Sequence, residues 1–163
     1  MKFIEVKENA DIEKLALLAS EIWHEYWVCI LTLSQIDYMV EKFQSYNAIK
    51  NQIENEKYCY FLIEDKNEIV GYFGCSNKEN YLFLSKLYIK KNFRNSGYGH
   101  KAFQKIKELA KIFNKKSIVL TVNKNNINTI KAYEKWGFKT IDSVVNDIGS
   151  GFVMDDYILE YIL

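Results

Sequence analysis

The 163-residue chain reads as one α/β domain, residues 1–163, built on a mixed sheet. Three observations predict this. Alternating runs of β-branched and aromatic residues occupy the start, the middle and the end of the chain. Between them, apolar residues recur at helical spacing. No proline, low-complexity stretch or repeat interrupts that order. Hydrophobic residues make up 48% and charged residues 26%, which suits a buried core and excludes a disordered chain.

Residues 2–7 alternate as a short strand. A helix follows, with Ile12, Leu15, Ala16, Leu18, Ala19, Ile22 and Trp23 on one stripe and Asp11 and Glu13 near its positive end. Thr32 or Ser34 caps a second helix, which presents Ile36, Met39, Val40 and Phe43. Two β-rich runs, 58–64 and 68–75, flank the turn-prone Asp65, Lys66 and Asn67 and read as a hairpin. A further strand spans about 81–90. The segment 92–99 breaks the pattern and opens a long helix with the buried stripe Ala102, Phe103, Ile106, Leu109, Ala110 and Phe113. Strand 117–122, helix 126–136 and two closing strands, about 138–147 and 151–161, complete the order.

No apolar run approaches the roughly 20 residues of a membrane helix, and the N-terminal residues lack the apolar block of a signal peptide. No membrane association and a cytoplasmic location are therefore expected. Cys29, Cys59 and Cys75 are odd in number and set among apolar neighbours, as free thiols are. His24 and His100 form no metal-ligand spacing, so no metal is expected.

Charge is unevenly spread. Residues 1–85 carry 8 basic and 14 acidic side chains, whereas residues 86–116 carry 10 basic side chains against Glu108 alone. The middle segment suits a polyanion, or presents lysines as a solvated helix face; the first half suits a cation. Exposed aromatics do not interleave those lysines, since Phe103 and Phe113 fall on the buried stripe, which argues against a nucleic-acid partner.

The segment Arg94-Asn95-Ser96-Gly97-Tyr98-Gly99 joins a strand to an amphipathic helix. The first amides of a helix have no internal partner, and the dipole adds partial positive charge there. Glycines at 97 and 99 let the backbone approach an anion. Neither G-x-G-x-x-G nor G-x-x-x-x-G-K-[ST] is present, so the common dinucleotide and triphosphate loops are excluded.

Taken with Leu87 to Phe93 before it, this segment resembles the acetyl-CoA-binding motif of the GNAT superfamily of N-acetyltransferases. Asn126, Ala132-Tyr133 and Gly137-Phe138 are similar to that family's second block. The resemblance implies a mostly antiparallel, twisted sheet of about six or seven strands with about four helices. It implies acetyl-CoA as cosubstrate, with backbone groups of Leu87, Tyr88 and Ile89 along the pantetheine arm. The amides of Asn95, Ser96, Gly97, Tyr98, Gly99 and His100 would hold the diphosphate, and Arg94 and Lys101 would supply charge. Asn126 would either bond to the cofactor arm or brace its own helix. Tyr133 would protonate the departing thiolate, or merely pack beside Ile130 and Trp136.

The proton acceptor departs from the family pattern. No acid lies between Tyr81 and Lys90, and Thr121 stands where a related glutamate would be. His24 and Tyr26 on the first helix, and Asp155 and Asp156 near the end, are the candidates to meet substrate. The expected acceptor is a primary amine, in particular a small cationic one, with polyamine-type acetyltransferases the nearest analogy and a protein N-terminus or lysine the alternative. A non-catalytic acyl-CoA sensor is the rival reading, and a homodimer is compatible with either.

Overall fold

Seven strands share one sheet in the computed structural model, which describes residues 1–163. In chain order the elements are β1 (Lys2–Glu5), α1 (Asn9–Tyr26), α2 (Leu33–Gln44), α3 (Tyr46–Asn55), β2 (Tyr58–Asp65), β3 (Glu68–Asn77) and β4 (Tyr81–Ile89). Then follow α4 (Tyr98–Ile112), β5 (Ser117–Asn123), α5 (Ile127–Lys135), β6 (Lys139–Gly149) and β7 (Phe152–Ile162). The spatial order is β1-β2-β3-β4-β5-β7-β6, antiparallel throughout except between β4 and β5.

Local chemistry explains the boundaries. Lys66 and Asn67 both have positive φ, which closes the β2–β3 hairpin in two residues with a twist matching its strands. The Thr32 hydroxyl accepts the Gln35 amide at 3.3 Å and caps α2. Ser45 does the same for Ala48 at 3.2 Å, which ends α2 and begins α3. Helix α3 occupies a stretch for which the apolar spacing predicts no element.

The sheet is covered on both faces. Helices α1 and α3 pack Leu15, Ile22 and Ile49 against Tyr60, Leu62 and Tyr72. On the other face, Phe103, Ile106 and Ala110 of α4 meet Phe73, Leu82 and Ile118, with Tyr133 of α5 in the same cluster. No helix is long and apolar enough to cross a membrane.

Two irregularities shape the centre. Strands β4 and β5 pair only from Tyr81–Phe83 to Ser117–Val119, then splay. On the other side of β4, Gly74 opposes Lys86 while the next residue, Cys75, opposes Leu84. Ser85 is therefore an extra residue, and this bulge reverses which way the rest of β4 faces. Leu82 and Leu84 join the α4-side core, whereas Lys86 turns to Tyr60 on the α3 side.

Candidate active site

The splay opens a cleft of about 1170 Å³ between β4 and β5, bounded by α1, α2, the α4 turn and α5. Leu87 and Ile89 on one wall face Val122 on the other. Beyond Phe83, β4 has no partner on its β5 side, so its backbone groups there remain available to an extended ligand.

At one end of the cleft the chain turns into α4. Asn95 and Gly97 have φ of 62° and 82°, and between them they fold the turn back under the helix. The first helical bond runs from the Lys101 amide to the Gly97 carbonyl at 3.0 Å. None of the six amides from Asn95 to His100 donates to any protein group. At Gly97 no atom lies within 4 Å of where a Cβ would stand, whereas at Gly99 the Trp136 ring is 3.3 Å from that point. One glycine thus leaves open space over the turn and the other lets α5 approach. A row of unpartnered amides at the positive end of a 15-residue helix is an anion cradle.

Arg94 lines the cleft beside that turn with its charge already paired. Its guanidinium holds Glu25 of α1 with two bonds, at 3.1 and 2.5 Å, and its Nε–H donates to the Ile89 carbonyl at 2.9 Å. The family resemblance assigns its charge to the ligand; in the structure that charge is paired with Glu25 of α1. Lys101 is exposed beside the Tyr98 ring, and His100 lines the cleft near Trp136.

Tyr133 comes from α5, 8% exposed, wedged against Trp136 and Phe138. It lines the cleft, and burial pushes its phenol well above the usual range. Asn126 makes no cap bond with its own helix. Its Oδ1 instead accepts the Tyr26 hydroxyl at 2.9 Å, and that hydroxyl also meets Thr129 at 2.8 Å. Tyr26 thereby ties α1 to α5 across the cleft.

Residues 19–138 match the model of the acetyltransferase (GNAT) family. The chain belongs to this family. Among curated relatives, the spermine/spermidine N(1)-acetyltransferase of Bacillus subtilis (strain 168) is 25% identical over 100 residues, 53% of this chain. That match spans 66% of the relative's length, just under two thirds. The PaiA N-acetyltransferase of Thermoplasma acidophilum, solved in complex with coenzyme A, superposes over 100% of both chains with a TM-score of 0.81 and 20% identity. A GNAT family acetyltransferase of Elizabethkingia anophelis with acetyl-CoA bound covers 72% of this chain and 82% of its own, with a TM-score of 0.61 and 18% identity. At these identities the two structures speak for the fold.

Within this GNAT chain the four residues singled out for substrate separate into two groups. Tyr26 and Asp156 line the cleft. His24 does not: its ring bonds the Ser20 carbonyl and Asp37, each at 2.7 Å, joining α1 to α2. Asp155 faces outward, where Lys124 pairs with it at 2.5 Å. Strand alternation makes this division, since neighbours on β7 point to opposite faces. Asp156 is 7% exposed, its Oδ1 has no partner, and desolvation raises its pKa to about 6.

Sequence reasoning missed Lys86. Its ammonium, 6% exposed, bonds the Phe43 carbonyl at 3.1 Å, Gln52 Oε1 at 3.0 Å and the Tyr60 hydroxyl, beside the Tyr58 ring. Burial lowers its pKa from 10.5 to about 7. Only the bulge at Ser85 could have revealed that a lysine counted with the surface charges turns inward.

Proposed function

We propose that this chain is an N-acetyltransferase, moving an acetyl group from acetyl-CoA to the nitrogen of a small primary amine. The observation that carries the reading is the row of six unpartnered amides, Asn95 to His100, at the mouth of the β4–β5 splay. Charge-assisted bonds to such amides contribute roughly 1.5–3 kcal/mol each, so a few suffice to hold a diphosphate. The unpaired edge of β4 at Leu87 and Ile89 suits the amide-bearing pantetheine arm, added like a strand. That arm leads the thioester inward along the splay.

Acetyl transfer then requires a neutral amine, attack on the thioester carbonyl and loss of the thiolate. Tyr133, buried in the cleft wall and held protonated, supplies the proton to sulfur. A small-molecule acceptor is supported by the relative named spermine/spermidine N(1)-acetyltransferase and by the closure of Tyr26 over the cleft to Asn126. A cytoplasmic location belongs to this reading.

Calorimetric titration with coenzyme A tests the carrier site, and thiol release from acetyl-CoA over a panel of amines tests the transfer. Binding in the micromolar range and amine-dependent thiol release are expected. Absence of both heat and thermal stabilisation with coenzyme A overturns the proposal.

A further inference from the structure

The acceptor end of the cleft has an electrostatic make-up that differs from the charge of the chain around it. Asp156 is the one acidic side chain that lines it. The acids that make residues 1–85 negative lie elsewhere: Glu25 is held by Arg94, and Asp37 by His24. A buried lysine, Lys86, also lines the cleft, as do the apolar side chains of Trp27, Met39, Phe43, Ile148 and Met154.

We infer that Asp156 anchors and deprotonates the acceptor, and that this acceptor carries a single positive charge on an apolar body. This rests on the acetyl-transfer reading. A carboxylate nine-tenths buried with one oxygen unbonded is costly unless a ligand donates to it. An ammonium group satisfies that oxygen. A polyamine brings further cations, for which the cleft offers no second carboxylate; apolar walls instead reward an aliphatic or aromatic arm.

The proton path balances. The ammonium gives one proton to the Asp156 carboxylate, freeing the nitrogen lone pair. Nitrogen forms its bond to the acetyl carbon as the carbon–sulfur bond breaks, and Tyr133 protonates the leaving sulfur. The second proton on nitrogen restores the Tyr133 phenol, and Asp156 passes its own to bulk water. Amide, free thiol and one released proton remain.

The titratable groups that act on Asp156 are Asp155 and its partner Lys124, from the other face of β7, and Tyr88 on β4. Burial and Asp155 favour its protonated form, and Lys124 opposes them. With a pKa of about 6, it is an ionised base at neutral pH and is lost below that.

The test compares phenethylamine with spermidine on the wild-type protein, Asp156→Asn and Asp155→Asn, with coenzyme A affinity measured on each. We expect kcat/KM for phenethylamine to exceed that for spermidine at least tenfold. Asp156→Asn should lose roughly 100-fold in kcat/KM, within the range general bases contribute, and should lose the acid limb of the pH profile. Its coenzyme A affinity should stay within twofold, and Asp155→Asn should stay within threefold in rate. Spermidine preferred tenfold, or an Asp156→Asn enzyme that keeps its rate and acid limb, overturns the inference alone. A wild-type protein that binds no coenzyme A overturns the acetyl-transfer reading and this one with it.

Discussion

Arg94 and Glu25 meet in a two-pronged ion pair, 3.1 and 2.5 Å, that ties the end of α1 to the first residue of the α4 turn. The Arg94 Nε–H bond to Ile89 adds a third tie, to β4. Planar guanidinium and planar carboxylate fix orientation as well as distance. The only arginine in the chain therefore ties the cradle to α1 and β4, while in the proposed reading the amides hold the diphosphate. Arg94→Ala should weaken coenzyme A about tenfold, equivalent to roughly 1.4 kcal/mol, through a misplaced turn. Calorimetry checks this, and Glu25→Gln discriminates. If Arg94 acted on the diphosphate directly, releasing it from Glu25 would tighten binding; if it positions the turn, binding weakens.

Gly97 has a second, separable role. At φ of 82° a side chain costs about 1–2 kcal/mol in backbone strain. Its Cβ position is empty to 4 Å, so no protein atom obstructs a methyl group there. Gly97→Ala should lower thermal stability modestly. Its methyl group would stand over the amides and should cost coenzyme A affinity by more than the stability loss. Equal small losses in both measurements would place the ligand elsewhere.

Legibility in the sequence followed what is local. The α4 turn, the apolar stripe of α4 and the two-residue hairpin at Lys66 and Asn67 all state their geometry in neighbouring residues. Helix α3 was illegible because its buried positions, Ile49 and Gln52, make too sparse a stripe to recognise. Charge sums misled for a different reason. They weigh Lys86 and Lys101 equally, although a bulge in β4 turns the first inward while the second stands in solvent on α4. The alternation that divides Asp155 from Asp156 is local, but which of them faces inward depends on pairing between β5, β6 and β7.

Lys86 makes stability depend on pH. Burial lowers its pKa from 10.5 to about 7, so between those values the unfolded chain binds the extra proton and the folded chain does not. Stability therefore rises with pH across that window, and the cost of burying the charged form is complete below it. Urea midpoints at pH 7 and pH 9.5 should show the wild-type protein more stable at the higher value. Lys86→Met should reduce that rise. It would also remove one of the two donors at the Phe43 carbonyl, which keeps Gln52 Nε2, and at Gln52 Oε1, which keeps the Tyr60 hydroxyl, so a lower midpoint at both values is expected. A pH response unchanged in Lys86→Met would mean that the amine is solvated.

Tyr133 separates chemistry from packing. Its ring fills the α5 side of the core against Trp136 and Phe138, so Tyr133→Phe keeps that volume and should leave thermal stability within about 0.5 kcal/mol. Coenzyme A affinity should stay within twofold, since the amides of Asn95 to His100 are untouched. Turnover should fall about 100-fold, in the range a positioned acid contributes. The same burial that raises the phenol pKa also disfavours a thiolate formed beside it, so proton transfer from oxygen to sulfur remains favourable inside the cleft. Because the phenol stays protonated, Tyr133 should impose no alkaline fall in kcat between pH 7 and about 10. A Tyr133→Phe protein with unchanged turnover would remove Tyr133 from the chemistry and leave the proton to water. A wild-type protein that binds coenzyme A, yet releases no thiol with any amine, would instead mark the cleft as an acyl-CoA sensor.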